Sequence, residues 1–410
     1  MPIGGIEFAI NLLTNALYIN SMAPQLLILV GRWLNKLQGT GLYPIQGTHN
    51  YHKKNRTFCS VDTMSESIFP YSFSLVLTYV LTRLLIPVAP KLGLIDTPCA
   101  RKKHTGAIPL VGGLAIYASV FICTMLFTKL QIELLSIITL GGILTTLGTL
   151  DDKYGLSPKL RLVLQFCAGG LLSYGAGIEL QSLGNAVGLG MIQTGFLAIP
   201  LTAIGIAALS NAYNMTDGID GLAASLGIVA FISLIVSLHD KLSPAELKVL
   251  TFYTLSLCIY LIFNFAIKPL APSKVFMGDA GSMFIGFSIG AFTIYFSQTS
   301  EYELDPTTTL WFVAVPLYDM IATMIRRIRK GQSPFYPDRT HLHHLLMHLG
   351  LNGKQALAVI VLFATTLGGI GILIDSYKIE SYFSFAAFMF IFIAYLQVIL
   401  HAWRIKKLFG

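Results

Sequence analysis

The chain has too few charged residues for a soluble protein. Only 12% of its 410 residues are charged, and 54% are hydrophobic, whereas soluble domains carry about 25% charged residues. This shortage excludes a large soluble domain and indicates an integral membrane protein. The net charge of +8 is better explained by basic residues retained on the cytoplasmic side of membrane spans than by nucleic-acid binding. We therefore expect membrane lipids, and not nucleic acid, among the partners.

Paired cysteines are also lacking. The five cysteines form no CxxC pair, and Cys123, Cys167 and Cys258 fall within apolar runs. This pattern supports neither a disulfide framework nor a cysteine-based zinc site.

Long apolar runs, by contrast, occupy most of the chain after Ser67. A membrane-spanning helix needs about 20 mostly apolar residues. Eleven candidate segments are 69–88, 108–128, 132–150, 160–177, 195–211, 219–238, 248–267, 282–297, 308–325, 355–374 and 383–401. The sequence therefore predicts an all-α integral membrane protein with about eleven transmembrane helices.

Basic residues divide unequally between the two sides of these spans. If the loop after the first span is cytoplasmic, eighteen Lys and Arg residues, Arg161 among them, lie on that side. Four lie on the other side, namely Lys129, Lys241, Lys248 and Lys378. The positive-inside rule then places residue 67 on the periplasmic side and the C-terminus in the cytoplasm.

Residues 1–66 do not fit this topology. A span near Ile6–Val30 would carry five basic residues to the outside, against the positive-inside rule. We therefore divide the chain into an N-terminal extension, 1–66, and a polytopic membrane domain, 67–410. Met64 is a candidate natural start, and an interfacial helix followed by a linker is the alternative. A signal peptide is disfavoured, because a basic N-terminus and a clear cleavage site are lacking.

Five aspartates stand where apolar runs end. Asp151 and Asp152 close the third run. Asp217 and Asp220 lie where the fifth run gives way to the sixth, and Asp279 precedes the eighth. Carboxylates at a membrane edge are energetically expensive and usually functional, and Mg²⁺ often takes one or two of them together with substrate phosphate oxygens. The five predict one shared cation site, with a solvated turn at Asp151 and an N-terminal helix cap at Asp279 as alternatives.

The segment NAYNMTDGIDGLA concentrates polar groups between two apolar runs. Asn211 and Asn214 supply amides that can orient a polar head group, and Gly218 allows close approach of a ligand or backbone. Asp217 and Asp220 would share one helical face if the segment were helical. An EF-hand loop lacks support, because its acidic twelfth position is absent. A simple turn remains the alternative.

The longest predicted cytoplasmic loop is rich in basic residues. Arg339, His341, His343 and His344 lie within DRTHLHH, and Arg327 belongs to the preceding RRIRK cluster. Imidazoles and a guanidinium near a carboxylate site suit a diphosphate. A transition-metal site is the alternative for the histidines, and contact with anionic lipid is the alternative for the arginine cluster.

A second basic patch lies in DTPCARKKHTG. Lys102 and His104 precede the second span and suit a lipid-linked or nucleotide phosphate. A charge cluster that only fixes membrane topology is the alternative reading.

Five blocks, taken in their order along the chain, resemble the signatures of the polyprenyl-phosphate N-acetylhexosamine-1-phosphate transferase family, also called glycosyltransferase family 4. The blocks are DTPCARKKHTGAIPLVGG, LGTLDDK, NAYNMTDGIDGLA, FMGDAGS and DRTHLHH, and the resemblance spans about 70–405. It implies an enzyme that transfers GlcNAc 1-phosphate from UDP-GlcNAc to undecaprenyl phosphate, giving undecaprenyl-diphospho-GlcNAc and UMP. Mg²⁺ is the implied cofactor, with Mn²⁺ as a substitute.

The resemblance also implies a place in the cell. The product would begin O-antigen or enterobacterial common antigen synthesis, a part of lipopolysaccharide biosynthesis. The enzyme would lie in the bacterial inner membrane with its active site on the cytoplasmic face. The HLHH block resembles the branch that uses UDP-GlcNAc, whereas the branch acting on UDP-N-acetylmuramoyl-pentapeptide usually has three consecutive histidines. Another UDP-N-acetyl sugar and a homodimer are left open.

Residue roles follow from the same resemblance. Asp279, assisted by Asp152, would bind the metal, and Asp151 would deprotonate or position the lipid phosphate. Asp217 and Asp220, with Asn214, would organise the nucleotide and its diphosphate, and Arg339, His341, His343 and His344, helped by Arg327, would hold that diphosphate. Lys102, His104 and Asn211 are further candidates for substrate binding. A cation-coupled transporter is a distant alternative, but it would place its charges near the bilayer midplane, often between inverted repeats.

Overall fold

A computed structural model of the protein describes residues 61–97, 106–129, 131–334 and 341–409. Of the predicted extension, 1–66, residues 1–60 lie outside the described residues. The first helix begins at Val61. The described residues form a single compact unit. The division of the chain between 66 and 67 stays a prediction.

The described chain is almost wholly helical. Its elements are α1 (Val61–Leu85), α2 (Ala89–Leu92), β1 (Ile95–Asp96), β2 (Ile108–Pro109), α3 (Gly112–Phe127), α4 (Ile132–Tyr154), α5 (Pro158–Ala176), α6 (Ala198–Thr216), α7 (Leu222–Ser237), α8 (Pro244–Asn264), α9 (Gly278–Gln298), α10 (Pro306–Phe312), α11 (Ala314–Arg329), α12 (Leu342–His348), α13 (Gly353–Ser376) and α14 (Ser381–Phe409). A 3₁₀ turn precedes α6. The short strands pair antiparallel, with Ile95 opposite Pro109, a feature that the all-helical prediction lacked.

Each of the eleven predicted segments falls on a helix or, for 308–325, on the pair α10 and α11. Within the described ranges, seven helices are long and apolar enough to cross a membrane. The number is eight if α10 and α11, bent by 84°, form one broken span. Helices α3 and α7 are apolar but have only 16 residues each. The chain is therefore a multi-pass, all-α membrane protein, and its eleven crossings and orientation stay predictions.

Local capping signals explain where several helices begin. Ser243 and Glu246 form a reciprocal capping box at the start of α8. The Ser157 hydroxyl accepts from the third residue of α5, and Pro158 occupies the first helical position. Helix α9 has no side-chain cap from its own N-cap residue, Met277. Its first N–H groups therefore need acceptors from another part of the chain.

Helix α9 lies at the centre of the bundle. Of the apolar span of α9, 89% is buried inside the protein, compared with 33% for α13 and 28% for α14. Stacked rings line its surroundings, for example Tyr253 with Phe284. Lipid contact therefore falls mainly to outer helices such as α13 and α14.

Glycines allow three helices to approach α9 closely. A Cβ atom at Gly148 of α4 would overlap the first turn of α9, and one at Gly113 of α3 would overlap Gly281. Gly286 of α9 faces the Leu209 carbonyl of α6, which lies 2.5 Å from where a Cβ atom would stand. Small residues let membrane helices pack closely in this way. Because α4 and α6 run antiparallel to α9, their C-terminal ends meet its N-terminus.

A matched pair of glycines on α5 tests this packing. A Cβ atom at Gly169 would lie 2.7 Å from Cα of Ala203, whereas one at Gly170 would have no heavy atom within 4 Å. We expect Gly169→Leu to lower the free energy of unfolding by about 2 kcal/mol or more through overpacking. Gly170→Leu should leave the melting temperature nearly unchanged. Thermal unfolding in detergent, followed by tryptophan fluorescence, measures both, and equal losses would contradict the packing.

Candidate active site at the N-terminus of α9

Four helix ends converge at one end of the bundle. Asp151 and Asp152 lie on the last turn of α4, Asn214 on the last turn of α6, and Asp279 on the first turn of α9. Arg161 comes from the first turns of α5. The close approach of α4 and α6 to α9 thus brings together three of the blocks that are far apart in the sequence.

Asp152 caps α9 from a neighbouring helix. Its Oδ1 accepts from the backbone N–H of Asp279 at 2.9 Å, and its Oδ2 from that of Ala280 at 3.3 Å. A carboxylate is also stabilised there by the positive end of the helix dipole. Gly278 makes room, since a Cβ atom at this position, where φ is +73°, would overlap the Asp152 carboxylate. The side chain of Asp279 does not serve as the N-cap and remains directed to other partners.

One guanidinium joins two of the acids. Arg161 NH1 donates to Asp151 Oδ2 at 2.5 Å and to Asp279 Oδ2 at 3.0 Å. The second oxygen of Asp151 accepts from the backbone N–H of Leu156 at 2.7 Å. Sequence reasoning counted Arg161 only as a topogenic charge. A signal for Arg161 was present in the sequence. It is a cation four residues after an N-cap serine, at the start of an apolar helix that follows a DD pair.

The two asparagines of the NAYN block have different partners. Asn214 Nδ2 donates to Asp279 Oδ1 at 2.7 Å and to Ser282 Oγ at 3.0 Å, so it belongs to the carboxylate cluster. Asn211 Nδ2 instead donates to Gln165 Oε1 at 2.5 Å and to its own helix. Asn211 therefore joins α6 to α5, and Gln165, which is buried, is a partner that the sequence did not reveal.

The two aspartates of TDGIDG lie beyond the helix. Because α6 ends at Thr216, Asp217 and Asp220 occupy a loop and do not share a helical face. Burial, followed by the negative charges of Asp279 and Asp220, raises the pKa of Asp217 to about 7. Asp220 is exposed and pairs with Lys274 at 2.6 Å. Negative charge near Asp217 is thus poorly compensated by the protein alone.

The histidine block contacts this loop. His341 precedes α12, and its Nδ1 lies 2.8 Å from Asp319 Oδ2 on α11. His343 packs so closely on Gly218 that a Cβ atom there would overlap its ring. Both ring nitrogens of His343 are buried, and neither has a hydrogen-bond partner among the residues that the structure describes. Burial, followed by the charge of His344, lowers the pKa of His343 to about 3, so its imidazole is neutral near pH 7.

The remaining candidates lie apart from this cluster or outside the described ranges. Lys102, His104 and Arg339 fall in residues that the structure does not describe. Arg327 is buried on the last turns of α11, and its NH1 donates to the Pro334 carbonyl at 2.7 Å. Arg327 therefore holds the start of the loop that leads to the histidines.

The donor set at the α9 N-terminus fits a hard divalent cation. In the part of the chain that the structure describes, no three His, Cys, Asp or Glu side chains are arranged to hold an ion by themselves. Mg²⁺ and Mn²⁺ need fewer protein ligands than zinc, because they retain water and take phosphate oxygens. The Asp279 carboxylate, with Asp152 behind it, is such a partial ligand set. Burial, followed by the charges of Asp279 and Asp220, raises the pKa of nearby Asp217, and a cation would offset the contribution of those charges.

Comparison with known proteins places these blocks in a family context. The model described as glycosyl transferase family 4 matches residues 134–297, which contain all five aspartates. A relative from Yersinia pestis, named undecaprenyl-phosphate alpha-N-acetylglucosaminyl 1-phosphate transferase, is 38% identical over 349 residues, covering 84% of this chain and 94% of its own. Proteins of the same name from Escherichia coli K12 and Pasteurella multocida are 36% and 38% identical. These cover 78% and 82% of this chain and 87% and 95% of their own.

The raised pKa of Asp217 makes stability depend on pH. An unfolded aspartate titrates near pH 4. Between about pH 4 and pH 7 the folded chain keeps a proton that the unfolded chain has lost, so stability falls as pH rises through this window. The Asp217→Asn variant has no carboxyl group to titrate at this position, so this fall in stability should be absent. In metal-free buffer, we expect its gain in melting temperature over wild type to be largest at pH 8 and to vanish near pH 4.

Asp240→Asn is the control for this measurement. It removes the same charge from an exposed position paired with His239. We expect no gain in melting temperature at pH 8 from this variant. A gain for Asp217→Asn that is equal at pH 4 and pH 8 would show that the charge of this half-buried side chain is not the cause.

Proposed function

The chain belongs to glycosyl transferase family 4, and on that premise we propose that it transfers N-acetylglucosamine 1-phosphate from UDP-GlcNAc to undecaprenyl phosphate, releasing UMP. The names of relatives that cover most of this chain support this activity. The observation that carries it is the convergence of Asp151, Asp152, Asn214 and Asp279 where a lipid phosphate and a soluble nucleotide could meet.

The acids and Arg161 suit the lipid-phosphate side of the reaction. Phosphoryl transfer depends mainly on positioning and on offsetting negative charge. A phosphate monoester has a second pKa of about 6, so the lipid phosphate arrives largely as a dianion and needs little proton removal. Asp151 has both oxygens occupied by donors. In this role it orients Arg161, whose guanidinium can bind phosphate oxygens.

Mg²⁺ or Mn²⁺ is the proposed cofactor. Asp279 would hold the ion, and Asp152 would support it by fixing the first turn of α9 and by lending its remaining lone pairs. When bound, the ion would offset the charge of the diphosphate that breaks. Asn214 keeps the Asp279 carboxylate in place through a hydrogen bond of 2.7 Å.

The TDGIDG loop and α12 suit the nucleotide side. Asp217 and Asp220 would organise the nucleotide, and His341, His343 and His344 would face its diphosphate. The neutral imidazole of His343 can donate one hydrogen bond without adding charge. Its packing on Gly218 supports a single pocket formed by loop and helix.

We further propose eleven membrane crossings with the site on the cytoplasmic face of the bacterial inner membrane. The 18 to 4 division of basic residues between the two sides supports this orientation. Helices α3 and α7 would span only about 24 Å at 1.5 Å per residue, less than the usual hydrocarbon thickness of about 30 Å. Both would need a locally thinner bilayer.

An assay of UMP release tests the activity. Purified protein in detergent is supplied with undecaprenyl phosphate, Mg²⁺ and one of several UDP-sugars, including UDP-N-acetylmuramoyl-pentapeptide. We expect UMP from UDP-GlcNAc, dependent on the lipid phosphate and lost with EDTA. UMP from a different UDP-N-acetyl sugar alone would reject the proposed substrate, and no UMP from any of them would reject the transferase activity.

Asp279→Asn tests the metal role within the same experiment. We expect kcat/KM to fall by at least about 100-fold, because a group that stabilises developing charge is lost. Mn²⁺ affinity, followed by electron paramagnetic resonance without substrates, should fall by about 10-fold or more. Asp240→Asn, an exposed acid paired with His239, is the control and should change neither. Normal Mn²⁺ binding by Asp279→Asn would remove its role as a ligand.

Single cysteines test the orientation. Tyr154 is 66% exposed at the end of the bundle that carries the acids, and Leu189 is 91% exposed in the loop that follows α5. In a cysteine-free background, a membrane-impermeant maleimide should label Leu189→Cys in intact spheroplasts, and Tyr154→Cys only after lysis. The reverse pattern would place the site outside.

A further inference from the structure

A buried acid inside a predicted span has no role in the site described so far. Asp319 lies on α11 and is 1% exposed. An ionisable residue within an apolar segment is rare, and its partners usually identify its function. Asp319 has three hydrogen-bond partners in the structure. One lies on α12, one lies on α14, and the third is the residue that precedes α12.

The three partners of Asp319 are directional. Oδ2 lies 2.8 Å from His341 Nδ1, and Oδ1 accepts from the backbone N–H of Leu342 at 2.8 Å and from the Tyr395 hydroxyl at 2.9 Å. Leu342 is the first residue of α12, so the carboxylate also fixes where that helix begins. Tyr395 lies on α14, so the same carboxylate ties α12 to two membrane helices.

The contact with His341 constrains the chemistry of its ring. An ionised carboxylate only accepts hydrogen bonds, so Nδ1 of His341 must carry the proton. A carboxylate partner of this kind selects the tautomer and holds the ring orientation, as it does for catalytic and metal-binding histidines. The other nitrogen, Nε2, is then the atom available to a ligand.

The orientation of His341 extends to the rest of the histidine block. Its ring is parallel to that of His343, with 2° between the planes and 5.9 Å between the centroids. His343 in turn packs on Gly218 of the TDGIDG loop. A change at Asp319 would therefore alter both the ring of His341 and the fit of α12 against that loop.

We propose that Asp319 is a positioning residue for the transfer reaction, which fixes the tautomer and direction of His341 so that Nε2 meets the diphosphate of the nucleotide sugar. The inference rests on the proposed function. A purely structural role, as the cap of α12, makes a different prediction. If Asp319 were only structural, its substitution would lower kcat further in a variant that already lacks His341. If Asp319 acts by positioning His341, its substitution would not change kcat in that variant.

A double-mutant cycle separates these roles. Asp319→Asn keeps the shape and an oxygen that can accept from Leu342, but its amide cannot maintain the same partnership with Nδ1. We expect Asp319→Asn and His341→Gln each to lower kcat for UMP release by about 10- to 100-fold. The double variant should be within about 2-fold of His341→Gln alone, because coupled residues are not additive. Losses that multiply would overturn the proposal.

Asp305→Asn is the matched control. Asp305 caps α10, the other half of the same bent pair, by accepting from the Thr307 N–H at 2.7 Å. The same substitution there weakens a helix start far from the acids. We expect its melting temperature to fall and its kcat to stay within about 2-fold of wild type. A comparable fall in kcat would assign the effect of Asp319→Asn to general destabilisation.

Nuclear magnetic resonance of ¹⁵N-histidine-labelled protein gives a second measurement that needs neither activity nor a folded Asp319 variant. The wild-type spectrum minus that of His341→Gln isolates the His341 ring. A protonated Nδ1 is expected, and an unprotonated Nδ1 would overturn the proposal. If wild type releases no UMP from any UDP-sugar, the proposed function fails, and this spectrum alone then decides whether His341 carries its proton on Nδ1, as the contact with Asp319 requires.

Discussion

The close packing of α4 against the N-terminus of α9 is the contact on which the site depends. Gly148 removes the side chain that would keep the helices apart, and Gly278 leaves space for the Asp152 carboxylate. Asp152 then supplies the acceptors that the first N–H groups of α9 lack. The same contact fixes Asp279 one residue beyond Gly278, so helix packing and site geometry have a common origin.

The acids tolerate one another because different donors stabilise each of them. Asp152 has the backbone N–H groups of α9, Asp151 has Arg161 and a loop N–H, and Asp279 has Asn214 and Arg161. Negative charge nevertheless accumulates here, because burial and the charges of Asp279 and Asp220 raise the pKa of Asp217 to about 7. In the proposed function, a cation would offset the charge of the two anionic substrates at such a site. The family, the donor chemistry and the electrostatics therefore point to the same reaction.

Much of the architecture could be predicted from the sequence, because it depends on local signals. Apolar runs located the helices, and acids at their ends identified the cluster at Asp151, Asp152 and Asp279. The partners could not be predicted, because apolar periodicity does not say which helix faces meet. For that reason Arg161 was taken for a topogenic charge. Asn211 and Asn214, only three residues apart, were given the same role although they contact different helices.

Asp319 shows a second limit of sequence reasoning. The predicted site comprised acids at the ends of apolar runs, whereas Asp319 lies inside the segment 308–325. The bend of 84° between α10 and α11 was also unpredicted, because neither half departs from an apolar composition at the break. The contacts that give Asp319 a role involve residues 22 and 76 positions away. Only the folded chain brings them together.

The central claim is that one cation site at the start of α9 joins the lipid-phosphate and nucleotide sides. An anomalous difference map from crystals grown with Mn²⁺ and UMP tests it most directly. The account predicts a manganese peak at coordination distance from a carboxylate oxygen of Asp279, with the UMP phosphate between the metal and α12. A manganese peak bound only by the histidines of α12, or one remote from Asp279, would contradict it.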